Sequence, residues 1–361
     1  MSLKILNGKI SNWMLAGLVT ALSITAVAGA QTAAGAGAQK APAAQKAAAS
    51  PQLQSLGQET KADPFPPVNQ KYFTASTPTV DTVNAFLKTL WGYDSNRIWR
   101  VEGIQKTASP GVSKVIVYVS EKGSANARIQ STAFFVMPDG KHAVAGDAVV
   151  PFGANPFADL RKTLQARADG ATRGATSKDL LLVEFADLQC PHCKDAQSTM
   201  DQLVKDFPNA RVVYQSYPLV ELHPFAFKAA AYGYCVQKQK NDAFFVYSAA
   251  VFDTQAALTP ETGDQTLKDA VTKAGLDPAA IDACAATPAT KEQVNSSIKL
   301  AQDIDVQQTP MLAVNGHLLP LTGIPYETLK TIISYQASLD GVSTGSTGAA
   351  MGSSTPPTLG K

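Results

Sequence analysis

Several things are scarce in these 361 residues, and each scarcity removes a class of function. No block of like charges stands out. Lys and Arg number 31 against 29 Asp and Glu, and the first 30 residues hold two of the lysines and no acid, which leaves 29 of each sign beyond them. A neutral chain without a basic stripe has no electrostatic footprint for nucleic acid or an anionic membrane surface. Past residue 30 no apolar run approaches the roughly 20 residues that a membrane span takes. Cysteines are only four, at positions 190, 193, 235 and 284. Two of them make one Cys-x-x-Cys, and neither a second such pair nor a Met or His cluster accompanies it, so a metal site would lack ligands.

What is present begins with an address. Lys4 and Lys9 precede an uncharged, mostly apolar stretch at 13–27, and Ala28-Gly29-Ala30 fits the small-x-small cleavage rule. Residues 1–30 therefore read as a signal peptide, with an uncleaved membrane anchor as the alternative. Both readings place the remainder in the periplasm or otherwise outside the cytoplasm. Residues 31–67 start as half alanine, broken by Gly35, Gly37 and Pro42, and read as a disordered tether. The Gly/Ser/Thr/Pro-rich stretch 339–361 reads as a disordered tail.

Residues 68–152 read as a small α+β domain. Thr77-Pro78 has the form of a helix cap and first helical position, and Val80, Val83, Phe86, Leu87, Leu90 and Trp91 fall on one helical face. Strand-like runs follow at 97–105, 114–120, 129–137 and 142–149, with Pro138-Asp139-Gly140 as a hairpin turn in an antiparallel meander. His142 reads as a solvated polar residue. Residues 153–177 read as a linker helix, with Phe157, Leu160 and Leu164 as its apolar stripe, and a flexible joint at 170–177.

The chemistry lies in 178–338. An apolar strand at 180–185 leads into a helix from Pro191 to about residue 206 and a strand at 211–217. A helical block spans about 222–305, with new starts expected at Thr259-Pro260, Asp277-Pro278 and Thr287-Pro288. Thr309-Pro310, strands at 311–314 and 317–321 around Asn315-Gly316, and a helix at 325–336 close the chain. The order β-α-β, helical insertion, β-β-α predicts an α/β domain.

Cys190 and Cys193, at i and i+3 on a first helical turn, can close a small disulfide ring. Free backbone N–H groups and the helix dipole there favour a Cys190 thiolate. Such a tight ring adds little stability, so redox work is the reading, with Cys190 as nucleophile and Cys193 as resolving thiol. Pro191 restricts the loop, and His192 places a ring near the Cys190 sulfur. Haem attachment would need His where Lys194 stands. Glu184, in the strand ahead, reads as a buried carboxylate relaying a proton to Cys193; an exposed Glu on an alternating strand is the alternative. Cys235 and Cys284 read most simply as a structural disulfide within the insertion, with an electron shuttle to Cys190–Cys193 as the alternative. His223 lies near a helix start and receives no catalytic role.

Val183-Glu184-Phe185 ahead of Cys190-Pro191-His192-Cys193, the insertion, and Thr-Pro-x-Leu-x-Val-Asn-Gly at 309–316 together resemble the DsbA-like thioredoxin family over roughly 178–336. The resemblance implies a thioredoxin fold with a helical insertion and a thiol:disulfide oxidoreductase whose only redox group is the Cys190–Cys193 disulfide, without a cofactor. It implies a cis Thr309–Pro310 bond facing the Cys-x-x-Cys, where the backbone pairs with a substrate strand. Pro191-His192 goes with oxidising members. The partners implied are unfolded exported proteins with cysteines and a membrane quinone-linked thiol oxidase. Residues 134–142, Phe-Phe-Val-Met-Pro-Asp-Gly-Lys-His, resemble the N-terminal domain of DsbC/DsbG-type isomerases, which implies a homodimer and makes a dimeric isomerase or chaperone the second reading. A metal-binding module with Cys190 and Cys193 as soft ligands is the third.

Overall fold

The computed structural model describes residues 64–122 and 128–345. The expected signal peptide, the tether as far as residue 63 and the tail from residue 346 lie outside the described residues. Two five-stranded sheets carry the fold, each with its own core.

The first sheet is an antiparallel meander of β1 (Arg97–Lys106), β2 (Ser113–Glu121), β3 (Gln130–Val136), β4 (His142–Ala145) and β5 (Ala148–Pro151), in that spatial order. Helix α1 (Val80–Trp91) lays Val83, Phe86 and Leu87 on it. The rings of Phe86, Phe134 and Phe152 meet at 4.8–6.1 Å between centroids. Three expectations need correction. Thr79, not Thr77, caps α1 by accepting from the Thr82 N–H, and the Thr77–Pro78 bond is cis and upstream of the helix. The run 142–149 is two strands, because Gly146 adopts a φ of +65° that a strand cannot hold. Residues 64–67 are not tether: Phe65 is buried, and Arg100 stacks on its ring at 5.2 Å.

The second sheet has the order β10-β9-β7-β8-β6. Its central strand β7 (Leu180–Ala186) runs parallel to β8 (Ala210–Ser216) and antiparallel to β9 (Met311–Val314), with β10 (His317–Pro320) beyond β9. Every residue of β7 is buried, as the covered strand of a parallel pair must be, and this explains its unbroken apolar run. Glu184 is therefore not on an exposed strand face.

The expected joint at 170–177 contains a strand, β6 (Ala171–Gly174), held antiparallel to β8 by backbone hydrogen bonds. Nor is the preceding helix α2 (Ala158–Arg167) a free linker. Its Leu164 packs with Leu181, Val183 and Phe185, and Arg167 pairs with Asp303 at 2.8 Å. The domain thus begins ahead of residue 178.

Helix α3 (Pro191–Asp206) follows β7 and buries Met200 and Leu203. The insertion is α4 (Ala226–Gln239), α5 (Asn241–Asp253), α6 (Gly263–Lys273), α7 (Pro278–Ala285) and α8 (Pro288–Asp303). Asp277 and Thr287 cap α7 and α8 ahead of proline, as their spacing predicts. α6 starts at Gly263, one turn after Thr259-Pro260, where the Thr259 carbonyl accepts from Gly263 N at 2.8 Å and its hydroxyl from Thr262 N at 3.4 Å. Helix α9 (Tyr326–Leu339) closes the domain, and the partly buried Val342 packs against its core, so the chain stays attached to the domain as far as residue 342. Tyr335 of α9 donates to the Lys88 carbonyl of α1 at 2.8 Å, which joins the two units. Among the described residues no helix is long and apolar enough to cross a membrane.

Candidate active site

The central strand β7 ends at Ala186, and the three residues Asp187–Gln189 deliver Cys190 to the cap position of α3. Cys190 is the cap residue: its backbone is extended, and its carbonyl accepts from Cys193 N at 3.1 Å and Lys194 N at 3.2 Å. Pro191 occupies the first helical position, where no N–H is required. The Cys190 sulfur therefore lies at the positive end of a 16-residue helix.

Both thiols are free in this structure. Cys190 is 5% exposed and Cys193 fully buried, so the N-terminal cysteine is the accessible one. The Cys193 thiol beside it, together with the Thr309 side chain and the N–H groups of Cys193 and His192, draws the Cys190 pKa down to about 5 against the opposing effect of burial. Burial drives Cys193 the other way, far above an ordinary thiol. At neutral pH the pair is one thiolate and one thiol. The His192 ring is exposed and makes no hydrogen bond among the described residues; its main-chain N–H is the part that favours the thiolate.

The loop before β9 faces the sulfurs. The Thr309–Pro310 bond is cis, and the Cys190 thiol lies 3.7 Å from the Thr309 carbonyl. The Thr309 hydroxyl is buried without a well-formed hydrogen bond of its own, yet lies close enough to both cysteines to lower each thiol.

Glu184 is 1% exposed, and burial raises its carboxyl to about 7 despite the hydrogen bond from Gln197. Gln197 Nε2 donates to Glu184 Oε1 at 2.8 Å and to the Cys193 carbonyl at 3.0 Å. Glu184 is thus linked to the main chain of Cys193 through an amide, without a direct hydrogen bond to its sulfur among the described residues. Tyr214 pairs with Glu184 across β7 and β8, and its buried hydroxyl has no hydrogen-bond partner among the described residues.

Cys235 and Cys284 are joined, which ties α4 to α7, and the Thr290 hydroxyl lies 3.6 and 3.8 Å from their sulfurs. Among the described residues no group of three or more His, Cys, Asp or Glu side chains is placed to hold a metal.

Four polar residues absent from the sequence reading of the site hold its loop. Gln189 Nε2 donates to the Leu258 carbonyl, while its Oε1 accepts from Phe225 N at 2.7 Å. Gln255 Nε2 donates to the carbonyls of Leu188 and Cys190, both at 3.0 Å. Gln197 and Asp187 are the other two. The insertion is therefore a clamp on the redox loop. Asp187, three residues ahead of Cys190, was the one with a local signal: a second carboxylate, after Glu184, in a mostly apolar approach. Gln255 is 65 residues from the carbonyl it holds, and nothing in the sequence marks it.

A thioredoxin family model matches residues 167–334. In this domain five helices stand between β8 and β9. The chain is 28% identical over 162 residues to a probable disulfide bond formation protein D of Bacillus cereus, covering 41% of this chain and 72% of that protein. It is 38% identical over 58 residues to the Na(+)/H(+) antiporter NhaA 1 of Salinispora arenicola, which is 16% of this chain and only 9% of the antiporter's length. Among solved structures, oxidised BdbD of Bacillus subtilis is 21% identical, with a TM-score of 0.42 over 47% of this chain and 93% of that one.

Proposed function

We propose that the protein is an extracytoplasmic thiol:disulfide oxidoreductase that makes or exchanges disulfides in unfolded, exported proteins. One observation carries the reading. Cys190, at the start of α3, has its pKa drawn down to about 5, while its partner one turn inward is kept protonated by burial.

The chemistry follows from that asymmetry. A substrate thiolate attacks the Cys190 sulfur of the Cys190–Cys193 disulfide; a substrate–Cys190 disulfide forms, and the electron pair of the broken bond leaves on Cys193, which takes a proton. A second substrate thiolate attacks the substrate sulfur, and Cys190 leaves as a stabilised thiolate with the electron pair. The substrate is oxidised by two electrons and the enzyme reduced by two. A low pKa makes Cys190 a good leaving group and favours this direction. Reoxidation then falls to a membrane quinone-linked thiol oxidase. The Thr309 carbonyl, beside the nucleophile and ahead of Pro310, is the backbone position where a substrate strand pairs.

The Cys235–Cys284 bond supports an oxidising compartment, since disulfides persist outside the cytoplasm. We read it as structural, a staple between α4 and α7. The α+β unit of α1 and β1–β5 favours a second reading, a dimeric isomerase joined through that unit; a solution mass of one chain removes it. The first reading is tested with Cys190→Ser. Oxidation of a reduced, unfolded protein should fall to the uncatalysed rate, and a variant working at the wild-type rate would sink the proposal.

A further inference from the structure

Asp187 is buried in the site, at 1% exposure. Three donors converge on its carboxylate: Gln189 N at 2.7 Å on Oδ1, and Leu219 N and His223 Nδ1, each at 2.8 Å, on Oδ2. The two on Oδ2 come from the loop between β8 and α4. The main chain of Asp187 meets both redox cysteines. Its carbonyl accepts from Cys190 N at 3.1 Å, and its N–H donates to the Cys193 sulfur at 3.4 Å. That N–H is the main-chain donor that opposes the burial of Cys193.

A residue gripped by its side chain and aimed by its backbone is a positioning device. The sulfur it touches is the one that must carry charge when the ring disulfide opens. Glu184 reaches Cys193 only at the carbonyl and through Gln197, so it cannot do this. His223 is 20% exposed at its side chain and donates from Nδ1; it is the one side chain among the three donors, the others being main-chain amides. It is not the helix cap that its sequence position suggests, since Phe225 occupies that place in α4.

We propose that Asp187 and His223 form a positioning pair that holds the Asp187 N–H on the Cys193 sulfur and so stabilises the Cys193 thiolate as it leaves. The inference rests on the exchange reaction above. In the step concerned, an incoming thiolate bonds to the Cys190 sulfur, the Cys190–Cys193 bond breaks, and its electron pair goes to Cys193. The N–H donates to that charge without transferring its proton. A hydrogen bond to a charged sulfur in a buried site affects the rate by roughly tenfold.

The experiment measures how fast reduced glutathione opens the oxidised full-length protein, in wild type, His223→Phe and His223→Asn. Phe keeps a ring without the donor; Asn returns an N–H at the place of Nδ1. The Cys190 thiolate titration is read in parallel on the reduced proteins. The expected result is a roughly tenfold slower opening in His223→Phe, recovery to within about threefold in His223→Asn, and the same Cys190 midpoint in all three. A wild-type rate in His223→Phe overturns the proposal. So does a slow His223→Asn, which would show that the pair only holds the loop together. Should His223→Phe fail to fold, Asp187→Asn, of the same volume, is read in its place, with slower opening expected and an unchanged rate overturning the proposal. Cys190→Ser separates the two levels: if it still exchanges, the redox reading itself is wrong, whereas an inert Cys190→Ser beside a fast His223→Phe refutes only the positioning pair.

Discussion

Burial of Glu184 has a thermodynamic consequence that Glu184→Gln isolates. In the native state burial holds the carboxyl at about 7, against 4.5 for an ordinary glutamate. Below the ordinary value both states are protonated and the site costs nothing in stability. Between the two values the unfolded chain has released the proton while the native protein retains it, so stability falls as pH rises. The loss levels off above the native value. At about 1.4 kcal/mol per pH unit, that gap amounts to about 3 kcal/mol. Glutamine fills the same space, can accept from Gln197 through its amide oxygen and does not titrate. The assay is urea unfolding of wild type and Glu184→Gln, both with Cys190–Cys193 oxidised so that no thiol titrates. The advantage of the variant should grow by about 3 kcal/mol between about pH 4 and about pH 8. An advantage constant across that range would mean that Glu184 is ionised in the folded protein, and the burial argument would fail.

Other outcomes follow from the clamp and the staple. Gln255→Leu leaves the carbonyls of Leu188 and Cys190 without their shared donor and should cost about 1–2 kcal/mol in urea unfolding; an unchanged midpoint would mean that the insertion does not hold the loop. Replacing Cys235 and Cys284 together by alanine removes a cross-link over 49 residues, which costs about 4 kcal/mol on the chain-entropy estimate. The rate at which Cys190–Cys193 exchanges disulfides should not move in that variant, and a slowed exchange in the still-folded protein would favour electron traffic between the pairs over a purely structural bond.

The order of elements along the redox domain was legible, β6 aside, because its strands carry distinct signatures. β7 is an unbroken apolar run, β9 and β10 flank Asn315-Gly316, and the Asp277-Pro278 and Thr287-Pro288 pairs mark helix starts with capping chemistry. The meander was legible for the same reason at Pro138-Asp139-Gly140, where Gly140 takes the φ of +65° that the turn requires. β6 was missed because Ala171–Gly174 has no periodic pattern of its own: an edge strand of four residues is fixed by its partner β8, not by its composition. Helix α2 reads as a linker from its place between the two units, whereas its buried Leu164 and the Arg167–Asp303 pair seat it on the second sheet. In the site, Cys190, Cys193 and Glu184 announced themselves by residue type and spacing. His223 did not, since its meaning comes from Asp187, 36 residues earlier in sequence and 2.8 Å away in space. Likewise, the imidazole of His192 was expected to tune the sulfur, whereas the Cys193 thiol lowers it most, followed by the Thr309 side chain and the main-chain N–H groups of Cys193 and His192.

The claim beneath all of this is that Cys190 is a thiolate at neutral pH. The direct measurement is the ultraviolet absorbance of the thiolate across a pH titration of the reduced protein, with Cys190→Ser as the blank. The account predicts a transition with a midpoint of about 5 that is absent from the blank. A midpoint near an ordinary thiol's 9 would contradict it.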